Sequence, residues 1–127
     1  MSIEKQRDKD NPNLPPMPAG PIVSLVYRTT AENRSALIEF LNGALSLYER
    51  PGGIRIALYE SIDEPCVFFE LVAYESEAAF EADQERVEHD AEMKKVLEDW
   101  RQLIDGPLEV KRMRPVQLTR VQPSNQC

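Results

Sequence analysis

Histidine, cysteine, glycine and tryptophan are scarce in this 127-residue chain, which has one His, two Cys, five Gly and one Trp. Cys66 sits in an apolar run and Cys127 is the last residue, so no disulfide framework is readable and a reduced, cytoplasmic protein is expected. His89 stands without a second histidine or a nearby cysteine, too little for a zinc or iron centre, so no metal is expected. No Gly-rich loop follows a strand pattern. Pro51-Gly52-Gly53 ends a helical pattern instead, and cannot cradle phosphate at a helix N-terminus. A Gly-x-Ser-x-Gly nucleophile elbow is also absent. Basic residues are outnumbered, 15 against 22 acidic ones, giving a formal charge of −7. That balance argues against a nucleic-acid or anionic-membrane partner, both of which need a basic face. No apolar run approaches the roughly 20 residues of a membrane span. Met1 to Pro12 is charged and polar, without the apolar heart of a signal peptide.

What is present is one folding unit, 22–115, between two polar segments. Residues 1–21 are polar and then proline-rich, and are expected to form a flexible arm; 116–127 is expected to be a tail. Ile22 to Thr29 is β-branched and aromatic, a strand pattern. Thr29-Thr30-Ala31-Glu32 has the Thr-x-x-Glu form of a capping box. Leu37, Phe40, Leu41, Ala44, Leu47 and Tyr48 then recur at helical spacing up to Pro51. Ile54 to Ile62 and Cys66 to Glu75 read as a hairpin turning at Asp63-Glu64-Pro65. Ser76 is a good N-cap. The apolar stripe behind it, Ala79, Phe80 and Val87, restarts in a new phase at Met93, Val96, Leu97, Trp100, Leu103 and Ile104. Such a phase change predicts a break between Asp83 and Asp90. Leu108 to Met113 is the last strand. The order β-α-β-β-α-β is that of the ferredoxin-like α+β fold, an antiparallel sheet with its helices on one face.

Parity divides each strand between the two faces of the sheet. Val23, Leu25, Tyr27, Ile54, Ile56, Leu58, Val67, Phe69, Leu71 and Ala73 carry no charge and are assigned to the helix-covered face. Ser24, Val26, Arg28, Arg55, Ala57, Tyr59, Cys66, Phe68, Glu70, Val72 and Tyr74 mix charge with aromatics on the other. So much apolar surface predicts an interface, and the charges predict one that is partly polar. A two-fold homodimer, with a cavity enclosed between the two sheets, meets both conditions.

Particular runs resemble a known family. Glu49-Arg50-Pro51-Gly52-Gly53, Ile54 to Tyr59, Asp63-Glu64-Pro65, Phe69-Glu70, Tyr74-Glu75-Ser76-Glu77-Ala78-Ala79-Phe80 and Leu103-Ile104-Asp105-Gly106-Pro107 are similar to the antibiotic biosynthesis monooxygenase (ABM) family. The resemblance implies a dimeric α/β barrel. It also implies a cofactor-independent monooxygenase acting on a small electron-rich aromatic, a quinol or polycyclic phenol, deprotonated so that it passes an electron to O₂ directly. Against the family's pattern, Tyr74 stands in place of a tryptophan, Glu70 in place of an amide and Phe80 in place of a tyrosine. The haem-degrading branch would need a histidine near Met93 and an asparagine near Tyr27, and has neither here.

The candidate catalytic residues are therefore Glu70 as base, Tyr74 as ring partner and His89 as proton donor, with Arg28, Arg55, Tyr59, Phe68 and Phe80 as substrate contacts. Each has a plainer reading. Arg28, Arg55 and Glu70 could neutralise one another in a dimer seam. His89, between Glu88 and Asp90, could be a solvated linker residue. Tyr59 and Phe68 could be packing. A non-catalytic ligand-binding or scaffold dimer on the same barrel is the alternative function.

Overall fold

A computed structural model describes residues 20–119 of the chain; most of the expected N-terminal arm, and the end of the expected tail, lie outside the described residues. Four strands, β1 (Ile22–Arg28), β2 (Ile54–Glu60), β3 (Val67–Tyr74) and β4 (Asp105–Met113), alternate with three helices, α1 (Arg34–Tyr48), α2 (Glu77–His89) and α3 (Ala91–Arg101). The sheet is antiparallel throughout and ordered β2-β3-β1-β4. This is the ferredoxin-like arrangement expected from the element order. Among the described residues no helix is long and apolar enough to cross a membrane.

The helices form where their apolar stripes can be buried. Leu37, Leu41, Ala44, Leu47 and Tyr48 of α1 pack with Met93 and Trp100 of α3 over Tyr27 and Phe68 of the sheet. The predicted break between the last helices falls at Asp90, whose Oδ1 accepts from the Glu92 and Met93 amides and so starts α3. Ser76 caps α2, its Oγ accepting from the Ala79 amide at 3.0 Å. Ser76→Ala is expected to lower stability by about 1 kcal/mol in urea denaturation, with the fold unchanged. Gly52 and Gly53 turn the chain from α1 into β2 at φ 83° and 73°, a left-handed pair that favours glycine. Gly20 and Pro21, at the end of the expected arm, are buried, and the Tyr74 amide donates to the Pro21 carbonyl at 3.0 Å.

Three expectations need correction. Thr29 does not form a capping box with Glu32. A turn intervenes, α1 begins only at Arg34, Thr30 Oγ1 accepts from the Asn33 amide, and Thr29 Oγ1 donates to the Leu103 carbonyl at 2.6 Å. The third strand starts at Val67, because Cys66 is left-handed at φ 68°, its amide held by Glu60 Oε2. The same carboxylate is gripped by Arg34 at 2.6 and 3.1 Å, and these donors hold it down to about 2.

The largest correction concerns β3, whose two faces are exchanged. Residues directly opposite in a ladder share a face, and Tyr27 lies opposite Phe68, Leu25 opposite Glu70, and Ile54 opposite Tyr74. Phe68, Glu70, Val72 and Tyr74 therefore face the helices. Val67, Phe69, Leu71 and Ala73 lie on the free face with Val26, Arg28, Arg55 and Tyr59. Both parities of β3 are apolar apart from Glu70, so the assignment rested on that one charge. The charge is in fact buried.

Candidate active site

Pairing β3 this way places a carboxylate under the helices, and a cavity lies beside it. The cavity, of about 250 Å³, is lined by the sheet and all three helices of one chain and opens to the surface. Its walls are mostly apolar, with Leu25, Ile54, Ile56, Val72, Val87 and Leu97 among them. The polar groups reaching it are Glu70 from β3, Tyr48 from α1, Tyr74 from the end of β3, Asp83, Gln84 and Arg86 from α2, and Trp100 from α3. Arg101 and Arg112, both exposed, border it at the surface.

Glu70 is only 4% exposed. The Tyr27 hydroxyl donates to its Oε1 at 2.7 Å. Burial raises the acid's pKa above the ordinary 4.5, and the tyrosine's hydrogen bond only partly opposes this. The Tyr27 phenol is itself pushed far up, by burial and then by the charge and hydrogen bond of Glu70. Tyr48 is raised too, by burial and then by the charge of Glu70. All three groups thus favour their protonated forms, and Glu70 is the one whose ordinary ionisation range allows it to work as a base.

A second set links the helices to the sheet. The Tyr74 hydroxyl donates to Asp83 Oδ2 at 2.6 Å, and Arg86 donates to Asp83 Oδ1 through Nε at 3.2 Å and Nη2 at 2.9 Å. Arg86 also donates to the Leu47 and Tyr48 carbonyls at the end of α1, each at 2.7 Å. The Tyr74 phenol is raised by burial and by Asp83. Trp100 is 5% exposed, edge-on to Tyr27 with ring centroids 5.1 Å apart. Its Nε1 is buried and has no hydrogen-bond partner among the described residues.

The candidate residues therefore divide into two groups. Glu70 and Tyr74 come together on the cavity. Phe68 is fully buried behind it, stacked on Tyr27 at 6.1 Å, and Phe80 backs Tyr74 edge-on at 5.3 Å. Arg28, Arg55 and Tyr59 are on the opposite face of the sheet, against the expectation that one face carries them all with Glu70. Arg28 is exposed and paired with Glu64 at 3.1 Å. His89 lies at the exposed end of α2, its Nε2 3.7 Å from Glu85. The cavity, too, is not made of the residues expected between two sheets.

Tyr27, Tyr48 and Trp100 fall on apolar stripes of the sequence and Asp83 and Arg86 in a charged stretch of α2, so none of the five stands out as a site residue. Asp83 had a signal: it falls between Phe80 and Val87 at spacings of three and four, on the buried stripe of α2. A carboxylate in that position needs partners, and Arg86, one turn on, supplies them. Tyr27 and Trp100 had no comparable signal, because large aromatics on an apolar face look the same whether they pack or line a void.

Solved structures share this arrangement of strands and helices. A candidate antibiotic biosynthesis monooxygenase from Nitrosomonas europaea aligns over 84% of this chain and 100% of its own, at 16% identity and a TM-score of 0.63. The fold is the ABM fold. SnoaB, a cofactor-independent oxygenase from Streptomyces nogalater, aligns on it over 84% of this chain and 99% of its own, at 11% identity and a TM-score of 0.61. A dimeric ferredoxin-like protein from an uncultured marine organism covers 82% of this chain and 94% of its own, at 15% identity and a TM-score of 0.62. At such identities the likeness is one of ABM fold. No protein-family model matches the sequence, and no curated protein does.

Proposed function

We propose that the protein is a cofactor-independent monooxygenase acting on a small electron-rich aromatic, a quinol or a fused-ring phenol. The carrying observation is the buried Glu70 carboxyl on a mostly apolar cavity. The SnoaB structure, an oxygenase of this fold that needs no cofactor, supports the reading. Glu70 takes the acidic proton of the bound ring, and the resulting anion reduces O₂. For an anthrone the balance is one O₂ consumed, one oxygen placed on the ring carbon, and one water released with the quinone. The mostly apolar walls limit bulk water, and the Tyr48 hydroxyl is available to a ring oxygen. At about 250 Å³ the cavity exceeds the roughly 150 Å³ that admits benzene, yet lies below the usual range for drug-sized ligands. Two fused rings are the best fit. Oxygen uptake with dihydroxynaphthalenes tests the reading. Uptake well above autoxidation, with one equivalent of quinone formed, is expected; ligand binding without any uptake would select the non-catalytic binder.

The protein is further proposed to act as a homodimer joined through the free faces of its sheets. Phe69, Tyr59 and Met113 stand 40%, 45% and 43% exposed on that face, together with Val26 and Leu71, more apolar surface than a lone sheet usually shows to water. The dimeric protein of the same fold supports this. Sedimentation should give the mass of two chains, and Phe69→Glu should give one.

A further inference from the structure

The cavity's charged rim carries a statement about the ligand that the oxygenase reading alone does not make. Of the three arginines bordering the cavity, Arg86 is committed to Asp83 and to two main-chain carbonyls. Arg101, at the end of α3, and Arg112, on β4 opposite Val23, have no ion pair or side-chain hydrogen bond among the described residues. In this chain of net charge −7, Arg28, Arg34, Arg50 and Arg114 find carboxylates, while Arg55, exposed on the free face of the sheet, has no ion pair among the described residues. Two left without partners on one cavity, from two separate elements, form a positive mouth on a negative molecule. The other charged pair on the cavity cancels: Asp83 is neutralised by Arg86. Two guanidinium groups at the rim of a mostly apolar cavity call for a ligand with an apolar ring system and an anion at its outer edge.

We propose that the cavity takes an aromatic acid, its fused ring inside and its carboxylate held at the mouth by Arg101 and Arg112. Guanidinium suits a carboxylate because its forked donors match both oxygens. The exposed setting makes each contact modest and salt-sensitive, so the arginines select and orient more than they anchor. The proposal rests on the oxygenase reading for what becomes of the bound ring, and on the cavity alone for the binding.

Calorimetric titration separates the two. The full chain is titrated with hydroxynaphthoate and with naphthol, as wild type, as Arg101→Gln/Arg112→Gln and as the corresponding double lysine variant. Hydroxynaphthoate is expected to bind about tenfold more tightly than naphthol to the wild type. That preference should shrink with added salt, fall to about twofold or less in the glutamine variant and survive in part in the lysine variant. Both arginines are exposed, so thermal unfolding should show all three proteins equally folded. Equal affinities, no binding of either compound, or a preference that persists without the arginines would overturn the proposal. A clear preference for the acid, with no oxygen uptake from dihydroxynaphthoate, would remove the oxygenase reading and leave this one standing.

Discussion

Glu70→Gln is expected to lower the rate of oxygen uptake by about 10²–10⁴, the range that a positioned general base contributes. Gln keeps the shape of the side chain and still offers its Oε1 to the Tyr27 hydroxyl, so the cavity stays intact and ligand affinity should change little. Only the capacity to take a proton is lost. The wild-type rate should rise with pH through a value above 4.5, since burial lifts the acid and only its ionised form is a base. The variant should lack that rise. A Gln variant as fast as the wild type would remove Glu70 from the chemistry.

The same residue has a signature in stability that does not depend on any substrate. Its folded-state pKa is raised, so the stability it contributes is fully present below about 4.5, its unfolded value, and is lost as pH rises through the folded value. Each tenfold displacement of its ionisation constant is worth about 1.4 kcal/mol. Glutamine cannot ionise. Denaturation in urea should therefore find Glu70→Gln gaining on the wild type as pH increases. An active site that holds a carboxyl in a destabilising place is a common way for an enzyme to set its base.

The elements were legible in the sequence because each depends on local chemistry. Spacings of three and four marked α1 and α3, Ser76 and Gly52-Gly53 marked the ends, and the loss of phase before Met93 located the break that Asp90 makes. The site was less legible because it depends on which way one strand faces. β3 alternates Phe68, Glu70, Val72 and Tyr74 with Val67, Phe69, Leu71 and Ala73, and both sets are apolar enough for a core. Neighbouring strands decide between them, through a register that no single strand encodes. Assigning Glu70 by its charge to the free face carried Arg28 and Arg55 along with it as supposed partners. The tyrosines explain why the charge is tolerated inside: Tyr27 satisfies one carboxylate oxygen at 2.7 Å. That partner was not visible while Tyr27 counted only as an apolar ring.

Arg86→Leu should have the largest effect on stability, a loss of about 3–5 kcal/mol, which is typical of removing one member of a buried ion pair. The side chain is mostly buried, as is Asp83, and four of its contacts disappear together. Asp83 is left with Tyr74 as its hydrogen-bond donor but without a counter-charge. The Tyr48 carbonyl, at the end of α1, loses its Arg86 donor, and the Leu47 carbonyl is left with the longer bond from the Arg50 amide at 3.3 Å. Asp83→Asn in the same background removes the stranded charge while keeping an acceptor for the Tyr74 hydroxyl. The double variant should recover part of the loss, and the part not recovered measures what the two carbonyls need. Urea denaturation of the four proteins closes this cycle. Were the double variant no more stable than Arg86→Leu alone, the buried charge would not be the source of the loss, and capping α1 would account for all of it. Because Arg86 holds α2 to the end of α1 across the cavity wall, the single variant should also weaken ligand binding. Asp83→Asn alone, which leaves those carbonyl contacts in place, should not.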